Sequence, residues 1–416
     1  MFLQQISSLG LLEAYTFKPL LDGKALAKAL GTPPGPWMKD ALEVVMAWQL
    51  RDSDNTDPST AIEEVRLNKE NKNGGELTAC LIDHFLQLTI RPLFAKTPRT
   101  VTSAGRKKLN PDTRPYQSID DEEDKPWKTR ERSSINLLRW ILNKIDPERI
   151  ERNWPLLIPP ILTILDDSDP LVKSLGCEFA AMILSKTPPA LLIRTGLGDV
   201  FEEVLMSCLT YLPTLTPEDQ SVVILDAAFP ALITLSNAQF PVQPSRKEHI
   251  SNQQKRAKFL DQVLRRGVLS GFTYAGEYVK IAIILLKHLK AISNELGVEL
   301  VRHLKDILPL LSRILGDPFA PASPELMLAA ARAEQAAILN AWPRISYHRG
   351  EILKGIISGW IHVIDSGNTI DEVNLELRET VEMLMTAVKG EVDIVSEFTE
   401  LMAADDRLKP LFAGLV

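Results

Sequence analysis

From Ile135 to the C-terminus the sequence is one apolar helical pattern after another, broken by Pro, Gly and short polar runs. No alternating stretch is long enough to propose a strand, so the chain is restricted to an all-α fold. The helix starts are marked in the sequence: Asp169-Pro170, Thr216-Pro217 and Ser323-Pro324 each place a capping side chain before a proline. A cap oxygen accepts an orphan backbone N–H, and proline at the first helical position has no N–H to lose.

The spacing of these starts carries the architecture. Pro170 and Pro217 are 47 residues apart, and Pro217 and Pro324 are 107 apart. The second interval reads as two steps of about 53, against about 40–47 for HEAT- and armadillo-like helix pairs. The spacing therefore predicts a HEAT/armadillo-like helical-repeat solenoid, with the excess placed in the polar stretch Phe240 to Lys255. The clearest unit is WPLLIPPILTILDDSDPLVKSLGCEFAAMIL, in which Asp166 to Asp169 turns the chain between two amphipathic helices. Gly176, Ala180 and Ala181 shorten the distance between helix axes. Similar pairs fall at Val200 to Leu235, Phe259 to Leu296, Leu304 to Trp342 and Ile352 to Val388. In the fourth pair, Ala329, Ala330, Ala333, Ala336 and Ala337 give a small-residue surface for tight packing.

Ahead of the solenoid (135–416) two regions are expected. Residues 1–66 read as a small N-terminal helical unit, interrupted at GTPPGPW by Pro33, Pro34 and Pro36. Residues 67–134 read as a linker, beginning with the apolar-poor RLNKENKNGG. It holds one helix at about 76–91, facing inward through Leu77, Cys80, Leu81, Phe85, Leu88 and Ile90. A charged loop follows, basic at Arg99, Arg106, Lys107, Lys108 and Arg114, then acidic at Asp120, Asp121, Glu122, Glu123 and Asp124. Opposite blocks of this kind neutralise one another in a solvated segment.

Composition narrows the function classes. The formal charge of −7 argues against a chain-wide footprint for nucleic acid or anionic lipid. Cys80, Cys177 and Cys208 are too far apart for a CxxC pair or a disulfide framework, which fits a reducing compartment. MFLQQISSLGLLEAY has no basic start, and IAIILLKHLKAI is too short and too charged to span a bilayer, so neither a secretory signal nor a membrane helix is expected. His84, His249, His288, His303, His348 and His362 show no metal spacing and are expected mostly on surfaces or helix faces. Phosphate-loop and nucleophile-elbow motifs are missing, and RTGLGDV reads as a turn between helices. No catalytic, cofactor-binding or metal residue is assigned.

Two resemblances add to this. KPLLDGKALAKALGTPPGPWMKDALEVVMAWQL resembles the C-terminal tail of fungal CCA-adding tRNA nucleotidyltransferase, where K-P-L-x-x-G-K precedes G-x-x-P-G-P. The catalytic head that precedes such a tail in that enzyme has no counterpart here, so activity is not carried over. From about Glu76 the chain resembles the Tel-two-interacting-protein-two family, the third subunit of the Triple-T (TTT) co-chaperone complex. FAKTPRTVTSAGRKKL, ERNWPLLIPPILTILDD, LGCE, RTGLGDVFEEVLMSCLTYLPTLTPED, ELGVELVRHLKDILPLLSRILGDPF and ILNAWPRISYHRGEILKGIISGW carry that likeness in order. It implies a non-catalytic adaptor in the cytoplasm and nucleus. The implied partners are two larger helical-repeat subunits, with PI-kinase-like kinases and the chaperone machinery reached indirectly. DNA-damage signalling, nutrient signalling and telomere maintenance are the implied settings.

Trp342, Arg344, Tyr347, Arg349 and Trp360 concentrate residue types enriched at binding hot spots and are the candidate contact surface. A competing expectation is an RNA-associated protein linked to tRNA 3′-end processing. It would use the N-terminal unit with Arg246, Lys247, Lys255, Arg256, Lys258, Arg265 and Arg266. A third is a solenoid of the nuclear-transport type.

Overall fold

The computed structural model describes residues 20–31, 33, 35, 37–51, 57–94, 106, 125–129, 133–213, 215–241, 246–367 and 371–415. All regular structure among them is helical. Two units separate by internal packing, Met1–Phe85 and Leu86–Val416.

In the first unit, α1 (Gly23–Ala29), α2 (Trp37–Arg51) and α3 (Pro58–Phe85) follow one another. Asp22 Oδ1 caps α1 by accepting the Ala25 N–H at 2.7 Å, and Asp57 Oδ1 accepts the Ser59 N–H at the start of α3 at 3.1 Å. Leu26, Ala41, Val45, Ala61 and Val65 close a small core, and Gln49 Oε1 accepts the Leu20 N–H at 2.9 Å beside it. RLNKENKNGG, expected as linker, is helical within α3. Two interior glycines cost about 2 kcal/mol, but Glu and Lys are good helix formers and the buried residues on either side hold the turns that flank it. The inward face matches the expected one only at Ile90, with Phe85 partly buried. Ala79, Ile82, Leu86 and Ile90 are buried, while Leu77, Cys80, Leu81 and Leu88 are exposed. Apolar residues lie on both sides of this helix, so a helical period alone does not choose between them.

The second unit opens with a π turn at Leu86–Ile90, then α4 (Pro126–Thr129) and α5 (Ser133–Lys144). The charged loop, apart from Arg106, and most of FAKTPRTVTSAGRKKL lie outside the described residues. Trp127 of α4 is buried and stacks on Phe94 at 5.3 Å. On either side of Trp127, Lys125 and Lys128 donate to Asp167 at 2.8 and 2.9 Å. Burial pushes the Asp167 carboxyl up. The hydrogen bonds from Lys125, from the Asp169 N–H and from Lys128 outweigh it and hold the carboxyl below its ordinary value. Its contribution is therefore complete above the ordinary carboxylate range near about 4 and is lost as pH falls through the lower folded value. Asp167→Asn is expected to lower stability by about 2 kcal/mol at pH 7. Urea titrations at pH 7 and pH 3 check this, because the gap between wild type and variant must shrink at pH 3.

The remaining helices form pairs. They are α6 (Pro147–Leu165) with α7 (Pro170–Leu184), then, after the short α8 (Pro189–Thr195), α9 (Leu197–Cys208) with α10 (Glu218–Gln239). Next, α11 (Arg246–Val263) passes through a π turn at Leu264–Leu269 into Ser270–Ala275, and this long rod pairs with α12 (Val279–Leu296). α13 (Leu304–Leu315) pairs with α14 (Pro324–Asn340), and α15 (Trp342–Asp365) with α16 (Asp371–Val388). α17 (Ile394–Ala404) and α18 (Lys409–Phe412) close the stack. α7, α10, α12, α14 and α16 pack in succession as one layer, and the first helices of the pairs form the other, where α13 and α15 pack directly. This is the expected solenoid, built from the five pairs drawn from the sequence.

First-layer helices begin at residues 170, 218, 279, 324 and 371, steps of 48, 61, 45 and 47. The long step holds the expected excess, and Arg246 to Lys255 within it is helical. Of the three start signals only Asp169 caps with its side chain, accepting the Leu171 N–H at 3.0 Å. Ser323 is the N-cap of α14 without a side-chain bond, and at α10 Pro217 is itself the N-cap, so that helix starts one residue later than expected, at Glu218.

Ion pairs join one pair to the next at the repeat spacing. Asp219 meets Lys280, Asp226 meets Lys287, Arg332 meets Glu376 and Arg349 meets Glu397. Asp226 also accepts the Nε2–H of buried His288 at 2.9 Å, and His288 stacks on Phe229 at 4.7 Å. The His288 hydrogen bond, with help from Lys287, lowers the Asp226 carboxyl to about 2. Burial lowers His288 itself despite Asp226. His288 and His303, which meets Asp261 at 2.8 Å, are buried, while His84 is exposed and His348 and His362 are partly so.

One helix, α10, is long and apolar enough to cross a membrane by length and composition, where the sequence reading expected none. Its apolarity follows from its place in the layer, flanked by α7 and α12, with Asp226 ion-paired midway along it.

Candidate interaction surface

The five candidate residues all belong to α15, and the structure divides them. Trp360 is buried, 5% exposed, and its Nε1–H donates to the Arg407 carbonyl at 2.9 Å. Arg349 places Nη2 and Nε on Glu397 Oε1 at 2.8 and 3.0 Å, which fastens α15 to α17 and raises the guanidinium pKa. These two hold the fold together. Trp342 and Tyr347 stand in solvent, 57% and 77% exposed, and the Arg344 guanidinium lies 5.6 Å from the Tyr347 ring. Arg344 and Tyr347 share a face, because three residues on a helix turn through most of a revolution. Trp342, two residues before Arg344, lies on the other side.

The face of Arg344 and Tyr347 continues along α15 through Glu351, Lys354 and Ser358, at spacings of three and four. Those three residues form one wall of a groove of about 670 Å³ whose other wall is α13. Phe319 stands 84% exposed at its edge. The helices come this close because Gly355 sits against Ser312, where an added Cβ would stand 2.7 Å from the Ser312 Cα. A second groove, of about 800 Å³, lies on the other side of α13 against the end of the α11 rod, and Pro309 and Arg313 border both. Sequence reasoning missed both grooves, since neither is local. The available signal was the cations of LVRHLKDILPLLSRIL, Lys305 and Arg313, eight residues apart on one helix.

The basic set of the competing expectation does not form one patch. Arg256 pairs with Glu295, Arg265 with Asp261 at 3.2 Å, and Arg266 faces Glu202. Lys255 and Lys258 are exposed, and the side chains of Arg246 and Lys247 lie outside the described residues.

Buried polar groups were not legible either. Cys177 and Cys208 lie 3.7 Å apart, Sγ to Sγ, as free thiols in the core between the first two pairs. Glu334 is fully buried among the alanines of α14 with no hydrogen-bond partner. Burial, with Glu351 adding to it, pushes its carboxyl well up and favours the neutral acid. No cluster of three or more His, Cys, Asp or Glu among the described residues could hold a metal.

The Tti2 family profile matches residues 47–322, about two thirds of the chain, from α2 through the loop before α14. The chain belongs to the Tti2 family. Tti2 proteins are non-catalytic components of the TTT co-chaperone complex. The match starts upstream of Glu76, within the N-terminal helical unit, and ends before α15, so the candidate surface lies beyond it.

Two curated relatives match shorter stretches. The nucleotidyltransferase lcsQ of Purpureocillium lilacinum is 56% identical over 69 residues, 17% of this chain and 12% of that protein. The tRNA nucleotidyltransferase cca2 of Schizosaccharomyces pombe is 45% identical over 38 residues, 9% of this chain and 8% of that protein. The chain thus spans about an eighth or less of these relatives. No solved structure matches.

Proposed function

We propose that this Tti2-family chain is a helical-repeat adaptor that supports the maturation and stability of PI-kinase-like protein kinases within a TTT-type complex. The observation that carries the reading is the family match across the first three helix pairs and the first helix of the fourth, on a fold whose exposed second layer offers grooves for protein segments. Two larger helical-repeat subunits are its direct partners, and kinases and chaperones are reached through them. It works in the cytoplasm and nucleus, and in DNA-damage signalling and telomere maintenance through those kinases. It performs no chemistry of its own.

Affinity purification of the tagged full-length chain from its native host, with nuclease treatment and mass spectrometry, tests this. Two large helical-repeat proteins and PI-kinase-like kinases are expected, and depletion of the chain should lower kinase abundance. Recovery of tRNA-processing proteins alone would replace the reading with the second one, tRNA 3′-end processing, which the lcsQ and cca2 matches favour. Arg344→Glu, on the exposed face of α15, is expected to weaken recovery of the large subunits; unchanged recovery removes that face from the interface.

A further inference from the structure

We infer that the groove between the end of the α11 rod and α13 docks an acidic peptide segment of a partner protein, held by one apolar anchor. The chain carries a net charge of −7, yet Lys305 and Arg313 rim this groove against the single lining carboxylate of Asp306, beside Arg265, which is ion-paired with Asp261. Arg332, Arg349 and Arg407 of the last repeats each hold a carboxylate instead. Among the described residues, neither Lys305 nor Arg313 has a carboxylate within ion-pair distance, and both are exposed. Unpaired cations at either end of one groove give it a positive potential, which an acidic ligand complements.

The floor supplies the rest of the recognition. Leu269, Phe272 and Leu310 make it apolar, enough for one leucine- or phenylalanine-sized side chain. Pro309, which has no N–H to donate within α13, lines the groove as a further apolar surface. Cations at the rim and an apolar floor match a short acidic peptide better than a nucleic acid. Single-stranded nucleic acid needs a series of aromatic platforms, and the lining has one aromatic ring, half-buried.

The inference rests on the adaptor reading for its biological setting, and the experiment keeps the two apart. The full chain is titrated against a fluorescein-labelled twelve-residue peptide of glutamates with one central phenylalanine, read by anisotropy. The controls are the same peptide with lysines, the same peptide with alanine for phenylalanine, and a single-stranded RNA of equal charge. Selective binding of the first peptide is expected, weakened about tenfold or more by Arg313→Glu and again by Lys305→Glu, about one charge contact each. Both sites are exposed, and unchanged circular dichroism and melting establish that the variants fold. A variant that loses the peptide while still recovering the large helical-repeat subunits supports the groove as a site separate from complex assembly. No binding by the wild type, equal binding of lysine peptide or RNA, or full binding by the double charge reversal overturns the inference and leaves the adaptor reading intact.

Discussion

Replacing Gly176 with valine is expected to remove about 3 kcal/mol or more of stability, and even alanine is expected to destabilise. A glycine inside a helix ordinarily costs about 1 kcal/mol relative to alanine, so the usual expectation for Gly→Ala has the opposite sign. At Gly176 an added Cβ would stand 2.7 Å from the Leu165 nitrogen and 2.8 Å from its Cα. Those are backbone atoms of α6, which cannot swing aside as the end of a side chain does. Relief requires α6 and α7 to move apart, opening the core that Leu165, Phe179 and Ile183 fill. Gly350, exposed on α15 with nothing within 4 Å of an added Cβ, is the matched control and should gain about 0.5–1 kcal/mol on conversion to alanine. Urea denaturation of the three single variants checks the pair of signs. Stabilisation by Gly176→Ala would mean that the closest helix contact in the first pair is not under steric control.

The two tryptophans of α15 should separate even more widely. Trp360→Ala is expected to cost about 3–5 kcal/mol, because it empties a buried site and leaves the Arg407 carbonyl without its donor. Trp342→Ala is expected within about 0.5 kcal/mol of wild type, since more than half of that side chain is in solvent. Thermal unfolding followed by circular dichroism distinguishes them. A large loss at Trp342 would place it in a packed interface within the chain, contrary to its exposure. If partner binding also falls in Trp360→Ala, the cause is the lost attachment of the C-terminal segment to α15.

The pattern of legibility has a physical basis. Helix pairs were readable because each is a local event: Leu157, Ile161, Ile164 and Leu165 repeat at the helical period within one segment, and Asp169-Pro170 marks the next start. Gly176 was readable for the same reason, as one of three small residues, with Ala180 and Ala181, within a single helix. Residues whose role depends on a partner one repeat away were not. Arg349 has the composition of a hot spot, and only Glu397, 48 residues downstream, turns it into a structural tie. That spacing, shared by Arg332 and Glu376 at 44, was the overlooked signal. The face of the helix at 76–91 was misjudged because apolar residues lie on both sides of it, so periodicity alone could not choose. The grooves beside α13 need three helices in register, and no window of the sequence contains that information.

Every helix pair in the stack packs on the pairs beside it, and no substantial packing reaches past a neighbour among the described residues. The first and last pairs are thus related only through the joints between them, each a layer of side chains with some give. Small rotations at successive joints accumulate along the row, as in a leaf spring, and no single joint has to break for the ends to change their separation. A partner that grips the stack at two distant points would set its curvature, and the work of bending would be shared among interfaces that have no contact with that partner.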